Sequence, residues 1–485
     1  MKKRHKVLIR RCSHYDPGRI AAIVREGMEE LGVRPQGRIL LKPNLVLAHP
    51  EIFPHAFTRR EFLDGVITAV KAMATEVEEI AVGERSGITI ATRYSFKNAG
   101  YAPIVRKHGV KTYFFDETRH VGVSIQPEQA LRSRLFVPEP IARCSCLINL
   151  PKFKAHPWCR LTLSLKNFIG LQDDRHRLVD HNQFLEHKIA DLQSVIQPRF
   201  IAIDAITAGQ KMMLTPTPFD LGAIVMGTNS CAVDTVGCHM VHVNPADVTH
   251  LKLSSARGFG PMTLDEIDVS GDFPLEQVRA KTRNFQFCLE RVDDYFGPNG
   301  NLRCTVGRFP EPHSADYCWG GCPGALQEAM HILRGFTPDV DRKMGKIRYV
   351  VGAVEGPLEL APGEKVIFAG RYTRWQGRVN GRRVSIEGSY RSASEVDEAD
   401  TASNDMLLKV GQAMARSALS LGRPYVHIKG CPVSVAEHVF TLASLGKIGN
   451  PLFDRRLLFP NLAAYAAMRA RRLLNRFTPP AASSP

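Results

Sequence analysis

From residue 5 to about residue 290 the chain alternates short apolar runs with longer stretches in which apolar side chains recur every three or four positions. A compact apolar run reads as a strand, and a recurrence near 3.6 reads as one face of a helix. The runs predict strands at Lys6–Ile9, Arg38–Leu41, Glu79–Val82, Lys111–Phe115, Cys144–Leu150, Phe200–Ile203 and Ala223–Met226. The periodic stretches predict helices at Arg19–Leu31, Arg60–Met73, Phe184–Ile196, Cys231–Met240 and Val248–Arg257. Strands alternating with helices specify an α/β fold with a largely parallel sheet. Ligands in such folds sit beyond the carboxyl ends of the strands, so the loops that follow strands are the places to search.

A seam follows Gly271-Asp-Phe-Pro274, and Asp293–Pro312 is rich in Gly, Pro and Asn, which reads as loop. The alternation then resumes in a second, smaller α/β module. Its expected helices are Ala325–Leu333, Ala402–Leu421 and Val435–Leu445, and its strands Arg348–Val354, Lys365–Ala369 and Tyr425–Lys429. The expected division is an α/β domain over 1–290, a cysteine-bearing domain over 291–450 and a basic extension over 451–485, ending in a flexible tail from Thr478.

With 44% hydrophobic and 23% charged residues, the 485-residue chain has a globular composition. Its net charge of +16 raises the question of nucleic acid, but 11 of those charges come from the two ends. Lys2, Lys3, Arg4, Lys6, Arg10 and Arg11 stand unopposed at one end; Arg455, Arg456, Arg469, Arg471, Arg472 and Arg476 face only Asp454 at the other. A nucleic-acid enzyme more often spreads its cations along one face, so no nucleic-acid partner is expected. The ends read as solvated tails or as a contact with an anionic membrane surface. No apolar stretch approaches the ~18 residues of a spanning helix, and the first residues lack the ~7–15-residue apolar core of a signal peptide. The 11 cysteines are odd in number and irregular in spacing, which argues against a disulfide scaffold and for a cytoplasmic location.

Two local patterns carry chemistry. In the second module, Cys318-Trp-Gly-Gly-Cys322-Pro323 and Gly430-Cys431-Pro432 each precede a helical pattern with apolar residues at offsets 4, 8 and 11 and a glutamate at offset 6. Proline favours the first helical position, so each Cys-Pro is expected at a helix start. Free amides and positive potential there suit thiolates and an anionic cluster. Adding Cys304 from the upstream loop gives the set Cys304, Cys318, Cys322 and Cys431, which suits a 4Fe–4S cluster. The alternatives are ordinary packing cysteines with no metal and structural zinc, the latter disfavoured because Cys431 stands alone where zinc prefers a second pair. The other seven cysteines, Cys159 among them, read as packing residues.

In the first module, Lys42-Pro-Asn-Leu-Val46, Gly83-Glu-Arg-Ser-Gly87, Pro151-Lys-Phe-Lys-Ala-His156 and Leu165-Lys-Asn-Phe-Ile-Gly170 read as loops at strand ends. Lys152, Lys154, His156 and Lys166 crowd into fifteen residues and are the candidate catalytic groups. Crowded cations bind carboxylate or phosphate and can lower a lysine's pKa into the range for acid–base work. Lys42, Asn44, Glu84 and Asn167 on the same loops, with Asp204 and Asp234 at apolar element boundaries, are the candidate substrate-binding residues. Each aspartate reads equally well as a helix cap. No Walker loop, dinucleotide glycine fingerprint or Gly-x-Ser-x-Gly elbow is present in the sequence.

Those four loop motifs, with Asn98-Ala-Gly-Tyr, Ala232-Val-Asp and Gly258-Phe-Gly in the same order, resemble the family called domain of unknown function 362 over about residues 5–272. The resemblance implies association with iron–sulfur proteins, although this chain lacks a ferredoxin cysteine run. The second module is similar in its Cys pair and late Gly-Cys-Pro to the cluster fold of hydrogenase small subunits and the 20-kDa-type subunit of complex I. It departs in its Cys-x₃-Cys spacing, in Val433, and in Ala369-Gly-Arg-Tyr-Thr373, which lacks that fold's cysteine. The expected function is an iron–sulfur reductase that takes an anionic small molecule in the first domain and electrons from a donor protein. The alternatives are a non-redox enzyme on a phosphorylated or carboxylated substrate with zinc, and a scaffold that hands a cluster to a partner.

Overall fold

The computed structural model describes residues 4–88, 90–126, 130–177, 183–287, 290–309, 320–389, 395–397, 399, 405–420 and 422–477. The first module is built on a ten-stranded sheet. Its strands, with a separate hairpin, are β1 (His5–Arg11), β2 (Gln36–Pro43), β3 (Thr75–Glu84), β4 (Lys111–Phe114), the hairpin β5 (His120–Ser124) and β6 (Arg134–Pro138), then β7 (Cys146–Leu150), β8 (Lys152–His156), β9 (Arg160–Thr162), β10 (Phe200–Gln210), β11 (Thr217–Gly227) and β12 (Ile267–Ser270). The order is β12-β1-β11-β10-β7-β2-β3-β4, with β8 against β10 and β9. Pairing is parallel from β10 through β7, β2 and β3 to β4, and antiparallel where β11 joins β1 and β10. The largely parallel α/β sheet expected from the pattern is therefore present.

The central strands explain why their sequence showed blocks rather than alternation. All five residues of β7 are buried, as are Ile39, Leu40 and Leu41 of β2, because helices cover both faces. Helices Pro17–Glu30 and Arg60–Met73 cover one face. The first starts at Asp16, whose side chain accepts from Arg19 N at 2.6 Å, with proline in the first turn. Helix Ser230–Met240 lies on the other face, in a core that continues into the second module through Leu326, Met330, Val439 and Leu442.

The second module is a five-stranded sheet of β13 (Leu302–Val306), β14 (Ile347–Ala353), β15 (Lys365–Val379), β16 (Arg382–Ile386) and β17 (Tyr425–Ile428), in the order β13-β14-β15-β16 with β17 beside β15. Helices Cys322–Phe336 and Val435–Gly446 pack with it.

Four expectations need correction. The segment Lys152–His156 is a fully buried strand, not a loop. Each of its lysines finds buried oxygen partners. Cys304 lies within β13, paired opposite Tyr349, rather than in a loop. Cys431 does not open a helix: the helix begins at Val435, because Ser434 caps it by accepting from Glu437 N. The Ser-x-x-Glu pattern outcompetes Cys-Pro as the start signal. Finally, the basic C-terminal end is not a solvated tail throughout. Helix Arg455–Phe477 buries Tyr465 and Met468 against Ala91 and Tyr94 of the first module. Asn461 Oδ1 accepts from Ala91 N at 3.1 Å, and Arg472 pairs with Asp174 at 2.8 Å. No helix among the described residues is long and apolar enough to cross a membrane.

Candidate functional site

The ends of β2 and β3, strand β8 and the short helix Ser164–Asn167 converge on one cavity of about 70 Å³. Lys42, Asn44, Glu84, Lys154, His156, Lys166 and Asn167, all expected at the site, line it. Arg85 and Arg177 complete the wall. Its ionisable side chains are thus five lysines and arginines with a single carboxylate, Glu84, and His156. A volume of this size holds a few waters or one small anionic group.

Glu84 is already engaged. Its Oε2 accepts from Lys42 Nζ at 2.7 Å, and its Oε1 accepts from Arg85 N at 2.7 Å. Both members of the Lys42–Glu84 pair are buried, which holds the Lys42 ammonium below its ordinary range and lifts the Glu84 carboxyl, each against the pull of the other. Gly170 permits this packing: a Cβ there would stand 2.9 Å from Glu84 Oε1. Lys154 Nζ donates to Ala56 O at 2.7 Å and to Met213 O at 2.8 Å. Burial, then the charge of Lys166, brings its pKa down to about 7, with Glu328 opposing.

Two cations keep donors in reserve. Arg177 is 5% exposed and gives Nη2 to Ser86 O, while its Nε and Nη1 find no partner among the described residues. Lys166 makes no hydrogen bond or ion pair to any described residue, and burial pulls its pKa down. Buried N–H groups without partners are costly, and a charged ligand is one way to satisfy them.

A polar scaffold fixes the wall from behind. Asp234 accepts from Ser164 N at 2.8 Å and from Leu165 N at 3.0 Å, orienting the turn that carries Lys166 and Asn167. Burial pushes its carboxyl up to about 7 despite those bonds. Asn149 bonds Ser164 and accepts from Asn167 Nδ2 at 2.8 Å. Asp234 is therefore placed as a positioning residue outside the cavity lining. Lys152 and Asp204 are also separate: they form their own fully buried pair at 3.0 Å, joined by the Tyr15 hydroxyl and Arg59 N. Sequence reasoning missed Arg85 and Arg177. Arg85 sat inside a recognised motif beside the residue chosen, whereas Arg177 lies in Asp174-Arg-His-Arg177, which reads as an ordinary charged turn.

The second module has its own small cavity, of about 30 Å³, onto which Cys322 and Cys431 both face together with Gly370 and Gly430. A Cβ on Gly370 would lie 3.0 Å from Cys322 Sγ, and Val433 N donates to that sulfur at 3.4 Å. Cys304 does not line this cavity, and burial pushes its thiol far up. Cys318 lies outside the described residues. The described residues thus supply two thiols here, half of a four-thiolate site. A second group able to hold a metal ion was not expected: the ligand atoms of Cys159, Glu186 and His250 lie within 4.8 Å of one another.

Residues 39–239 match the family described as a domain of unknown function, DUF362, which bears out the resemblance carried by the loop motifs. The match does not extend into the second module. Among curated proteins the chain is similar to a thylakoid-associated protein of Synechocystis sp., 24% identical over 293 residues, covering 56% of this chain and 84% of that protein. Among solved structures it is similar to the lactate racemase apoprotein from Thermoanaerobacterium thermosaccharolyticum, with 10% identity, coverage of 73% and 72%, and a TM-score of 0.31. A Thermotoga maritima protein shows 8% identity, coverage of 50% and 59%, and a TM-score of 0.25. Likenesses at those scores bear on neither fold nor chemistry.

Proposed function

We propose that the DUF362 part of the chain is an enzyme domain that holds a small substrate by an anionic group, carboxylate or phosphate, with Lys154 handling a proton beside it. The observation that carries this reading is one small cationic cavity on which Arg177 Nε and Nη1 find no partner among the described residues, with Lys166 lining the same cavity. Arg177 presents a planar fork to an oxyanion, and Lys166 adds a point charge. Lys154, near pKa 7, is present in both protonation states at neutral pH and can take up or return a proton. The Lys42–Glu84 pair holds the wall in place.

The test is calorimetric titration with sulfate, whose charge is constant near neutrality. Arg177→Met and Lys166→Met should each weaken binding by about 10-fold or more, since a charge-assisted hydrogen bond contributes roughly 1.5–3 kcal/mol. Sulfate affinity unchanged in both variants would sink the reading.

The wider reading adds iron–sulfur redox chemistry. It is favoured by Cys322 and Cys431 sharing a glycine-walled cavity. Those two thiols would hold part of a 4Fe–4S cluster, which would supply one-electron transfer; Cys318 is the proposed third ligand, Cys304 lies outside the cavity lining, and a donor protein is the proposed partner. Anaerobic purification should yield iron and sulfide and an EPR signal after dithionite, all lost in Cys431→Ser. Iron-free, colourless protein contradicts it and leaves the anion pocket standing.

A further inference from the structure

We propose that Cys159, Glu186 and His250 form a binding site for a zinc-type divalent cation, separate from both cavities described above. Three elements converge there. Cys159 sits in the turn between β8 and β9, where the His156 ring fixes the backbone: its Nδ1 accepts from Trp158 N at 3.1 Å and from Cys159 N at 3.2 Å. Glu186 lies in the first turn of helix Leu185–Leu192. His250 lies in the first turn of helix Thr249–Ala256, which packs beside it.

The chemistry of the set is selective. One sulfur, one imidazole nitrogen and one carboxylate oxygen are borderline donors that suit zinc, whereas calcium and magnesium take oxygen alone. Cys159 is fully buried and His250 is 2% exposed. His250 Nδ1 is buried without a hydrogen-bond partner and faces Glu186 Oε1 at 3.5 Å. A partnerless buried ring nitrogen next to a carboxylate and a thiol is the arrangement a cation would complete. Ligands bound at roughly 2.0–2.3 Å stand roughly 3.3–3.8 Å apart, so side-chain rotations of about 1 Å close the group on an ion. Binding would displace the thiol proton to solvent, leaving thiolate and carboxylate to balance the two charges of the metal. Three protein ligands leave a fourth position for water, the pattern of an open rather than a closed zinc site.

The site adjoins the anion pocket through His156, which lines the pocket and fixes the Cys159 turn, and the experiment separates the two. The full chain is stripped with chelator and titrated with zinc alone, with bound metal counted after gel filtration. Cobalt(II) then reports on sulfur ligation through its thiolate charge-transfer absorption. Because Cys322 and Cys431 could also take up zinc, Cys431→Ser is run in parallel. Wild type and Cys431→Ser should both bind an equivalent that Cys159→Ser and His250→Gln lose or bind at least about 100-fold more weakly, the upper end of what outer-shell changes already cost. The cobalt–thiolate band of that equivalent should vanish in Cys159→Ser. Glu186→Gln, a change on a partly exposed helix turn, repeats the test if either core variant fails to fold. Zinc uptake equal in the folded Cys159, His250 and Glu186 variants overturns the proposal, as does a wild type that takes up no zinc.

Discussion

At the level of single residues, the site is an exercise in burying cations without burying matching anions. Lys42 has Glu84 and Lys152 has Asp204, but Lys154 is held only by two carbonyls, and Arg177 Nε and Nη1 find no partner among the described residues. A lysine in that position loses charge near neutrality, and an anion bound beside it favours the charged form. Sulfate affinity should therefore fall as pH rises through about 7, with Lys166 and Lys152 adding to the repulsion and Glu328 opposing it. Lys154→Gln should flatten that profile in calorimetric titrations run from pH 6 to 8 in steps; an unchanged slope would remove Lys154 from the site. The crowding of lysines was legible in the sequence. Their division was not: residues two apart on a strand share a face, so nothing in Lys152-Phe-Lys154 tells that one lysine meets an aspartate and the other carbonyls, each supplied by a distant segment.

At the level of elements, the strands and helices of the parallel sheet were read well because their burial on two faces leaves unmistakable apolar blocks. Strand β8 was not, since charged residues rarely make a buried strand. The glutamate at offset 6 from Cys322 shows the same limit. A glutamate recurs at offset 6 from Cys431, yet of the two only Glu328 is fully buried. Its carboxylate accepts from the backbone N–H groups of Met213, Leu214 and Thr215. Met213 O in turn accepts from Lys154, so a helix of the second module secures the loop that secures the candidate proton carrier. Glu328→Ala leaves those amides without their acceptor and should cost roughly 1–3 kcal/mol in urea unfolding. It should also weaken sulfate binding, whereas Glu437→Ala, on the other helix, should leave sulfate binding as in wild type.

At the level of the whole molecule, the C-terminal helix changes the meaning of the net charge. The two ends supply most of the +16, and part of that charge is spent internally: Lys6 on Glu30, Arg469 on Asp405 and Arg472 on Asp174. Asp174 also pairs with Arg85, which lines the β2–β3–β8 cavity. Helix Arg455–Phe477 is thus tied to the pocket wall through one shared carboxylate. Composition could not reveal this, since a basic stripe beside Tyr465 looks like poor amphipathicity until the apolar pocket it fills is known. Removing residues 455–485 should expose Tyr94, speed proteolysis of the 85–94 segment and lower sulfate affinity several-fold. Arg472→Ala should lower the affinity without exposing Tyr94. Equal proteolysis and equal affinity in both would mean the helix is ornamental to the site.

The central claim is that Arg177 and Lys166 await an oxyanion. A crystal structure of the full chain grown with selenate tests it directly, because the selenium position is located from its own anomalous signal. The account predicts one selenate in the β2–β3–β8 cavity, with oxygens at hydrogen-bond distance from Arg177 Nε or Nη1 and from Lys166 Nζ. A cavity free of selenate, with those donors bonded to protein atoms instead, would contradict it.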